Sequence, residues 1–129
     1  MQVKTATKIL IVDDKPAMTS LYRRNLESVG GYEVFTENHG SLAIEAARRC
    51  RPDLILLDIL MPDMLGSEVS AKLREDPALA HIKVVFVTSM LKDHEVEKAN
   101  ESIGGQRIVA KPISAKDLVA VIERELAGL

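Results

Sequence analysis

Apolar positions along the chain fall into two kinds of pattern. Four short stretches are apolar without interruption: Ile9-Leu10-Ile11-Val12, Leu54-Ile55-Leu56-Leu57, Val84-Val85-Phe86-Val87 and Ile108-Val109-Ala110. Continuous rather than alternating runs of this length fit strands buried on both faces of a parallel sheet. They predict strands over 8–12, 54–57, 84–88 and 107–110, and a weaker strand is predicted over 33–36, after the turn signal Gly30-Gly31. Between the runs, apolar residues recur at three- and four-residue steps. Met18, Leu21, Tyr22, Leu26 and Val29 mark one helix face, and Leu42, Ala43, Ala46, Ala47 and Cys50 mark a second. A third helix is predicted from Ser67 to Arg74, stopped by Asp76-Pro77. A fourth, from Lys92 to about Glu101, has little apolar surface beyond Val96 and Ala99 and is expected to be the most exposed. The fifth begins after Ser114, a favourable N-cap with Asp117 at the capping-box position, and turns Leu118, Val121, Ile122 and Leu126 inward.

Strand and helix therefore alternate five times, which suits βα units with right-handed crossovers. The 129 residues match one domain, and neither a linker nor an internal repeat interrupts them. The expected architecture is a single α/β domain over 1–129, a doubly wound five-stranded parallel sheet in the order 2-1-3-4-5 with helices on both faces.

Composition narrows the function classes. Lys plus Arg minus Asp plus Glu is 17 − 19 = −2, so no cationic excess points to nucleic acid or to an anionic membrane. The longest apolar run, Leu118 to Ile122, is far short of the ~20 residues that span a bilayer. Met1 to Lys8 is mostly polar and lacks a secretory apolar region. Cys50 is the one cysteine, which excludes an internal disulfide and a cysteine-built zinc site. A cytoplasmic protein is the expectation. His39, His81 and His94 are scattered without ligand spacing.

The chemistry collects where the strands end. Asp13 and Asp14 follow the first apolar run, Asp58 the third, Thr88-Ser89 the fourth, and Lys111-Pro112 the fifth. In an open α/β sheet, ligands bind outside the carboxyl ends of the strands at the topological switch point, here between strands 1 and 3. Taken singly, these residues are ordinary: an N-cap, turn residues, a surface lysine. Together they place three carboxylates, a hydroxyl and an ammonium at one sheet edge. Three carboxylates repel unless protonated or bound to a cation, since unit charges 4 Å apart interact by about 4 kcal/mol at an effective dielectric of 20. Oxygen-only ligands select Mg²⁺ or Mn²⁺ before Zn²⁺. With Lys111, one divalent ion brings the formal sum to zero. A carboxylate can attack phosphorus to give an acyl phosphate, and Asp58, alone at its strand end, is the better nucleophile candidate.

These segments, Ile9-Leu10-Ile11-Val12-Asp13-Asp14, Asp58-Ile59-Leu60-Met61-Pro62, Val87-Thr88-Ser89 and Lys111-Pro112, in this order, resemble the receiver domains of two-component response regulators. The resemblance covers nearly the whole chain and implies the flavodoxin-like strand order. It implies Asp58 as phosphoacceptor, Asp14 as direct Mg²⁺ ligand, Asp13 as the orienter of the metal's water, and the backbone carbonyl of Leu60 as a further ligand. It also implies Thr88 as the switch hydroxyl and Lys111 as the phosphate-binding lysine. The phosphodonor would be a phosphohistidine on a sensor histidine kinase or phosphotransfer protein. A downstream protein would read the face of the fourth helix, fifth strand and fifth helix. Such a domain is a signalling phosphoacceptor, not a turnover enzyme.

Two other functions compete. A phosphatase of the haloacid dehalogenase type shares the nucleophile, Mg²⁺, hydroxyl and lysine, but needs a second Asp where Leu60 stands. A phosphorylation-independent interaction module would keep the fold alone. Ile108 bears on the latter, because receivers often have there an aromatic that turns inward on activation. Leu60, two residues after Asp58, cannot orient an attacking water, which predicts a long-lived phosphoryl group. Replacing Leu60 with Asn is expected to speed phosphate loss, timed by mass or phosphate release; an unchanged or slower loss contradicts it.

Overall fold

The computed structural model describes residues 6–88, 107–111 and 113–128. Five strands, β1 (Thr7–Val12), β2 (Tyr32–Glu37), β3 (Leu54–Asp58), β4 (Lys83–Thr88) and β5 (Arg107–Ala110), form one parallel sheet in the order β2-β1-β3-β4-β5. The expected fold class and strand order are found. The helices are α1 (Pro16–Val29), α2 (Ala43–Cys50), α3 (Gly66–Glu75) and α4 (Ala115–Leu126), with a 3₁₀ turn over Gly40–Leu42 before α2. Here α4 is the fifth helix of the sequence reading. The fourth predicted helix, with His94 and Ser89, and also Pro112, lies outside the described residues.

Burial of the strands on both faces explains their unbroken apolar runs. Leu10, Val12, Ile55, Leu57, Val84, Phe86 and Ile108 point to one face and pack with Ala43, Ala46, Ala47 and Cys50 of α2 and Val69 and Leu73 of α3. Their neighbours Ile9, Ile11, Leu54, Leu56, Val85 and Val87 point the other way, onto Tyr22 and Leu26 of α1 and Leu118 and Ile122 of α4. Each strand thus feeds two cores in alternation. Cys50 is a packing residue, and Met61 fills the same core as α2. Among the described residues, no helix is long and apolar enough to cross a membrane.

The helix faces need correction at their margins. Leu21 is 44%, Val29 53% and Leu126 38% exposed, and Leu42 belongs to the 3₁₀ turn, where it is also exposed. Three- and four-residue steps identify a face but not its width. Leu21 sits at the edge of the α1 stripe, and Val29 lies in the last turn, where the chain leaves α1 for β2 through Gly30 and Gly31. Both glycines adopt positive φ (87° and 85°), a region L side chains rarely occupy. At α4, Ser114 accepts a hydrogen bond from Asp117 N–H (3.1 Å), as its capping pattern predicts.

Phe86 is fully buried at the centre of the sheet. Phe86→Ala should cost about 3–5 kcal/mol of unfolding free energy, whereas Leu21→Ala should stay within about 0.5 kcal/mol. Urea unfolding of both variants checks the assignment; equal losses contradict it.

Candidate functional site

The β1–β3 register sets the site. Val12 pairs with Leu57, so Asp13 and Asp58 come level at adjacent strand ends. Asp58 is the last residue of β3 rather than the first after it, and it pairs with Val87. Asp13 extends the β1–β2 ladder by one bond, its N–H donating to the carbonyl of Glu37 (3.1 Å). One ligand atom from each of Asp13, Asp14 and Asp58 lies within 4.8 Å of the others, the cluster of metal-ligating groups found among the described residues. Asp13 and Asp58 are buried and Asp14 is half-buried at the mouth.

Lys111 completes the arrangement from the far side of the sheet. Its backbone N–H donates to the carbonyl of Thr88 (2.7 Å), which carries the β4–β5 ladder one step further. Its side chain, only 8% exposed, reaches back over the strand ends. The ammonium donates to Asp13 Oδ2 and lies 3.7 Å from Asp58 Oδ1. Thr88 is buried at the end of β4, next to the pairing of Asp58 with Val87. The four strand ends therefore do bring Asp13, Asp14, Asp58 and Lys111 together, with Thr88 on the neighbouring strand.

Each carboxylate has a different set of partners. Asp13 is fully engaged: Oδ1 accepts from Lys15 N–H (2.9 Å) and Oδ2 from Lys111. Asp58 Oδ1 accepts from Ile59 N–H (3.0 Å), while Oδ2 has no hydrogen-bond partner among the described residues. Burial pushes the Asp58 carboxyl up to about 6; Lys111 opposes the rise, and Asp13 and Asp14 reinforce it. The formal charge of three carboxylates and one ammonium is −2. All-oxygen donors at this spacing and charge fit a hard divalent cation, which would offset that sum. The described donor set includes no thiolate or imidazole.

Leu60 lies exposed on the loop after Asp58, and its apolar side chain supplies no acid–base group to the pocket. Ile108 is buried against the α2 face, in register with Phe86. Its side chain is already inside, where no ring need turn. Tyr22 also lies beneath the site. Its hydroxyl is buried without a hydrogen-bond partner among the described residues, and burial, with Asp13 and Asp58 adding to it, lifts the phenol to about 12.

Sequence reasoning missed two supports. A Cβ on Gly66 would come 2.3 Å from the Asp58 carbonyl oxygen, and Gly66 N–H donates to the Ile59 carbonyl (2.8 Å). Glycine is needed there because α3 starts against the backbone of Asp58 itself. Asp63 is the other: it accepts from Gly40 N–H (3.2 Å), Ser41 N–H (2.9 Å) and Ser41 Oγ (2.7 Å), tying the loop after β3 to the loop after β2. The glycine shortly after Met61-Pro62 was a usable signal for the first; nothing in the spacing of Ser41 and Asp63 announced the second.

Comparison with known proteins gives a consistent picture. The family model for the response regulator receiver domain matches residues 9–123. The chain is 35% identical over 118 residues to the polar-differentiation response regulator DivK of Brucella anthropi, a match covering 92% of this chain and 94% of that protein. Its fold is similar to that of the chemotaxis protein CheY4 of Vibrio cholerae, with a TM-score of 0.81 and 25% identity over 94% of this chain and 99% of that one. A CheY-like response regulator receiver domain protein from Methanospirillum hungatei JF-1 gives a TM-score of 0.81 and 27% identity, covering 96% of both chains.

The raised Asp58 carboxyl has a measurable consequence. The unfolded chain releases this proton near 3.8, the folded one only near about 6. Between these values the folded state binds more protons, so ionisation of Asp58 lowers stability as pH rises through the window. Urea unfolding in a chelating buffer is expected to show this falling component in the wild type and not in Asp58→Asn. Identical pH slopes in the two proteins contradict it.

Proposed function

The chain belongs to the response regulator receiver domain family, and from that premise we propose that it works by reversible phosphorylation of Asp58, with Mg²⁺ held by Asp13, Asp14, Asp58 and the backbone carbonyl of Leu60. Receiver domains are signalling phosphoacceptors that bind Mg²⁺ at an acidic cluster and interact with histidine kinases or phosphotransfer proteins and with downstream effectors. The observation that carries the reading is the convergence of the three carboxylates within 4.8 Å beside the buried Lys111 ammonium.

The roles follow from the partners each group has. Ile59 N–H holds one oxygen of Asp58 and leaves Oδ2 for attack on phosphorus. In that step an O–P bond forms, the P–N bond of the donor phosphohistidine breaks, and Asp58 becomes an acyl phosphate. Mg²⁺, when held by these residues, would supply charge neutralisation on the transferring oxygens. Lys111 adds a second cation on the same side, initially engaged by Asp13 and free to turn to the new phosphoryl group. Thr88, at the adjacent strand end, donates its hydroxyl to a phosphoryl oxygen. The added charge, about −1.5 to −2, then pulls Lys111 and Thr88 together. Because they terminate β5 and β4, the displacement reaches the face carrying β5 and α4, where a downstream protein binds. Ile108 is already packed inward, so the hydroxyl and lysine carry this coupling without an aromatic rotation.

Incubation with acetyl phosphate and Mg²⁺, followed by intact mass, should add one phosphoryl group to the wild type and none to Asp58→Asn. Chelation of Mg²⁺ should abolish the gain. A phosphorylated Asp58→Asn protein, or an unmodified wild type, contradicts the assignment.

A further inference from the structure

Asp13 is held at every polar atom, and its main-chain carbonyl is held by a side chain instead of by strand, helix or turn. Its carbonyl oxygen accepts from Asn38 Nδ2 at 2.8 Å. Asn38 comes from the loop after β2 and contributes no charge to the pocket. The same nitrogen reaches Thr19 Oγ1 at 3.1 Å. Thr19, buried on α1, donates its one hydroxyl proton to the Pro16 carbonyl (3.1 Å) and so presents a lone pair to Asn38. A backbone carbonyl only accepts. Both neighbours therefore demand a donor at this point, and the two N–H bonds of one amide satisfy them.

We propose that Asn38 is a positioning residue for the cation site, clamping the Asp13–Asp14 peptide so that both carboxylates meet the metal in one geometry. It rests on the Mg²⁺ reading above. The lever is the planarity of the peptide unit. Fixing the carbonyl oxygen of Asp13 fixes the rotation of the whole plane, and with it the point from which the Asp14 side chain departs. Asp14 needs such help: among the described residues its carboxylate has no hydrogen bond, unlike that of Asp13. Two positions along, Gly40 and Ser41 anchor Asp63 and so restrain the loop that follows Asp58. The segment 38–41 thus braces both acid-bearing loops while supplying no ligand itself.

Asn38→Asp separates the clamp from simple electrostatics. It keeps the shape, removes the donor, and adds a negative charge near the site. Charge alone would strengthen cation binding; loss of the clamp weakens it. Calorimetric titration of the full chain with MgCl₂ should give a Mg²⁺ dissociation constant raised about tenfold for Asn38→Asp and Asn38→Ala, the scale expected for groups that orient metal ligands, and raised by a smaller factor for Thr19→Val, which removes only the support of Asn38. Acetyl phosphate labelling should need correspondingly more Mg²⁺ for half-maximal rate, with the rate at saturating Mg²⁺ kept within about twofold. Asn38→Asp and Thr19→Val, both close in shape to the parent residues, keep the test decisive should the alanine variant fail to fold. Unchanged Mg²⁺ affinity in the folded variants, or tighter binding by Asn38→Asp, overturns the clamp and leaves the functional reading standing. A wild type that binds no Mg²⁺ removes that reading as well.

Discussion

Crowding three carboxylates into a pocket only one ammonium wide sets the terms for the rest of this structure. The group atoms lie within 4.8 Å of one another, and Lys111 offsets one charge of the three. Water cannot screen the remainder well, because Asp13, Asp58 and the Lys111 side chain are all buried. The protein bears this repulsion in two ways. It lets Asp58 hold its proton to about pH 6, and it gives Asp13 a hydrogen bond or ion pair at each oxygen. A divalent cation bound there would relieve both. A pocket of this charge and all-oxygen lining suits a hard divalent cation.

The scaffold that imposes the crowding is stiff. Parallel strands buried on both faces leave β1 and β3 no freedom to slip, since a one-residue shift would move every side chain to the opposite core. The register that pairs Val12 with Leu57 is hence also the device that sets Asp13 beside Asp58. Gly66 tightens the same corner by letting α3 begin against the Asp58 backbone, where any side chain would collide. The acidic residues are carried at the strand ends and on the short polar loops that follow them. Those loops are tied to one another by side chains, Asn38 to Asp13 and Asp63 to Ser41, and to the sheet through Glu37, whose carbonyl accepts from Asp13 N–H and whose carboxylate accepts from Asn38 N–H.

Several polar residues of this chain depart from an ordinary turn or cap role because of those ties. Ser41 lies in the 3₁₀ turn before α2, Asp63 on the loop after β3, and Thr19 on the buried stripe of α1. Their packing gives each one a partner that the local sequence does not contain. Ile108 illustrates the converse. It is an unremarkable core residue by burial, and its interest lies only in what a larger ring would do in its place.

The order of the described elements, the two-faced burial of the strands and the strand-end positions of Asp13, Asp14, Asp58, Thr88 and Lys111 were legible in the chain. Each is a local property: hydrophobic period reports how many faces an element buries, and the residue after an apolar run sits where the strand stops. The width of each buried stripe was not legible, which is why Leu21 and Val29 turn out exposed. Nor were the bonds that hold the site. Asn38 is 25 positions from Asp13, and Lys111 is 98 positions from it. Which donor meets which acceptor across such separations depends on sheet register and helix placement, and these exist only once both cores have packed.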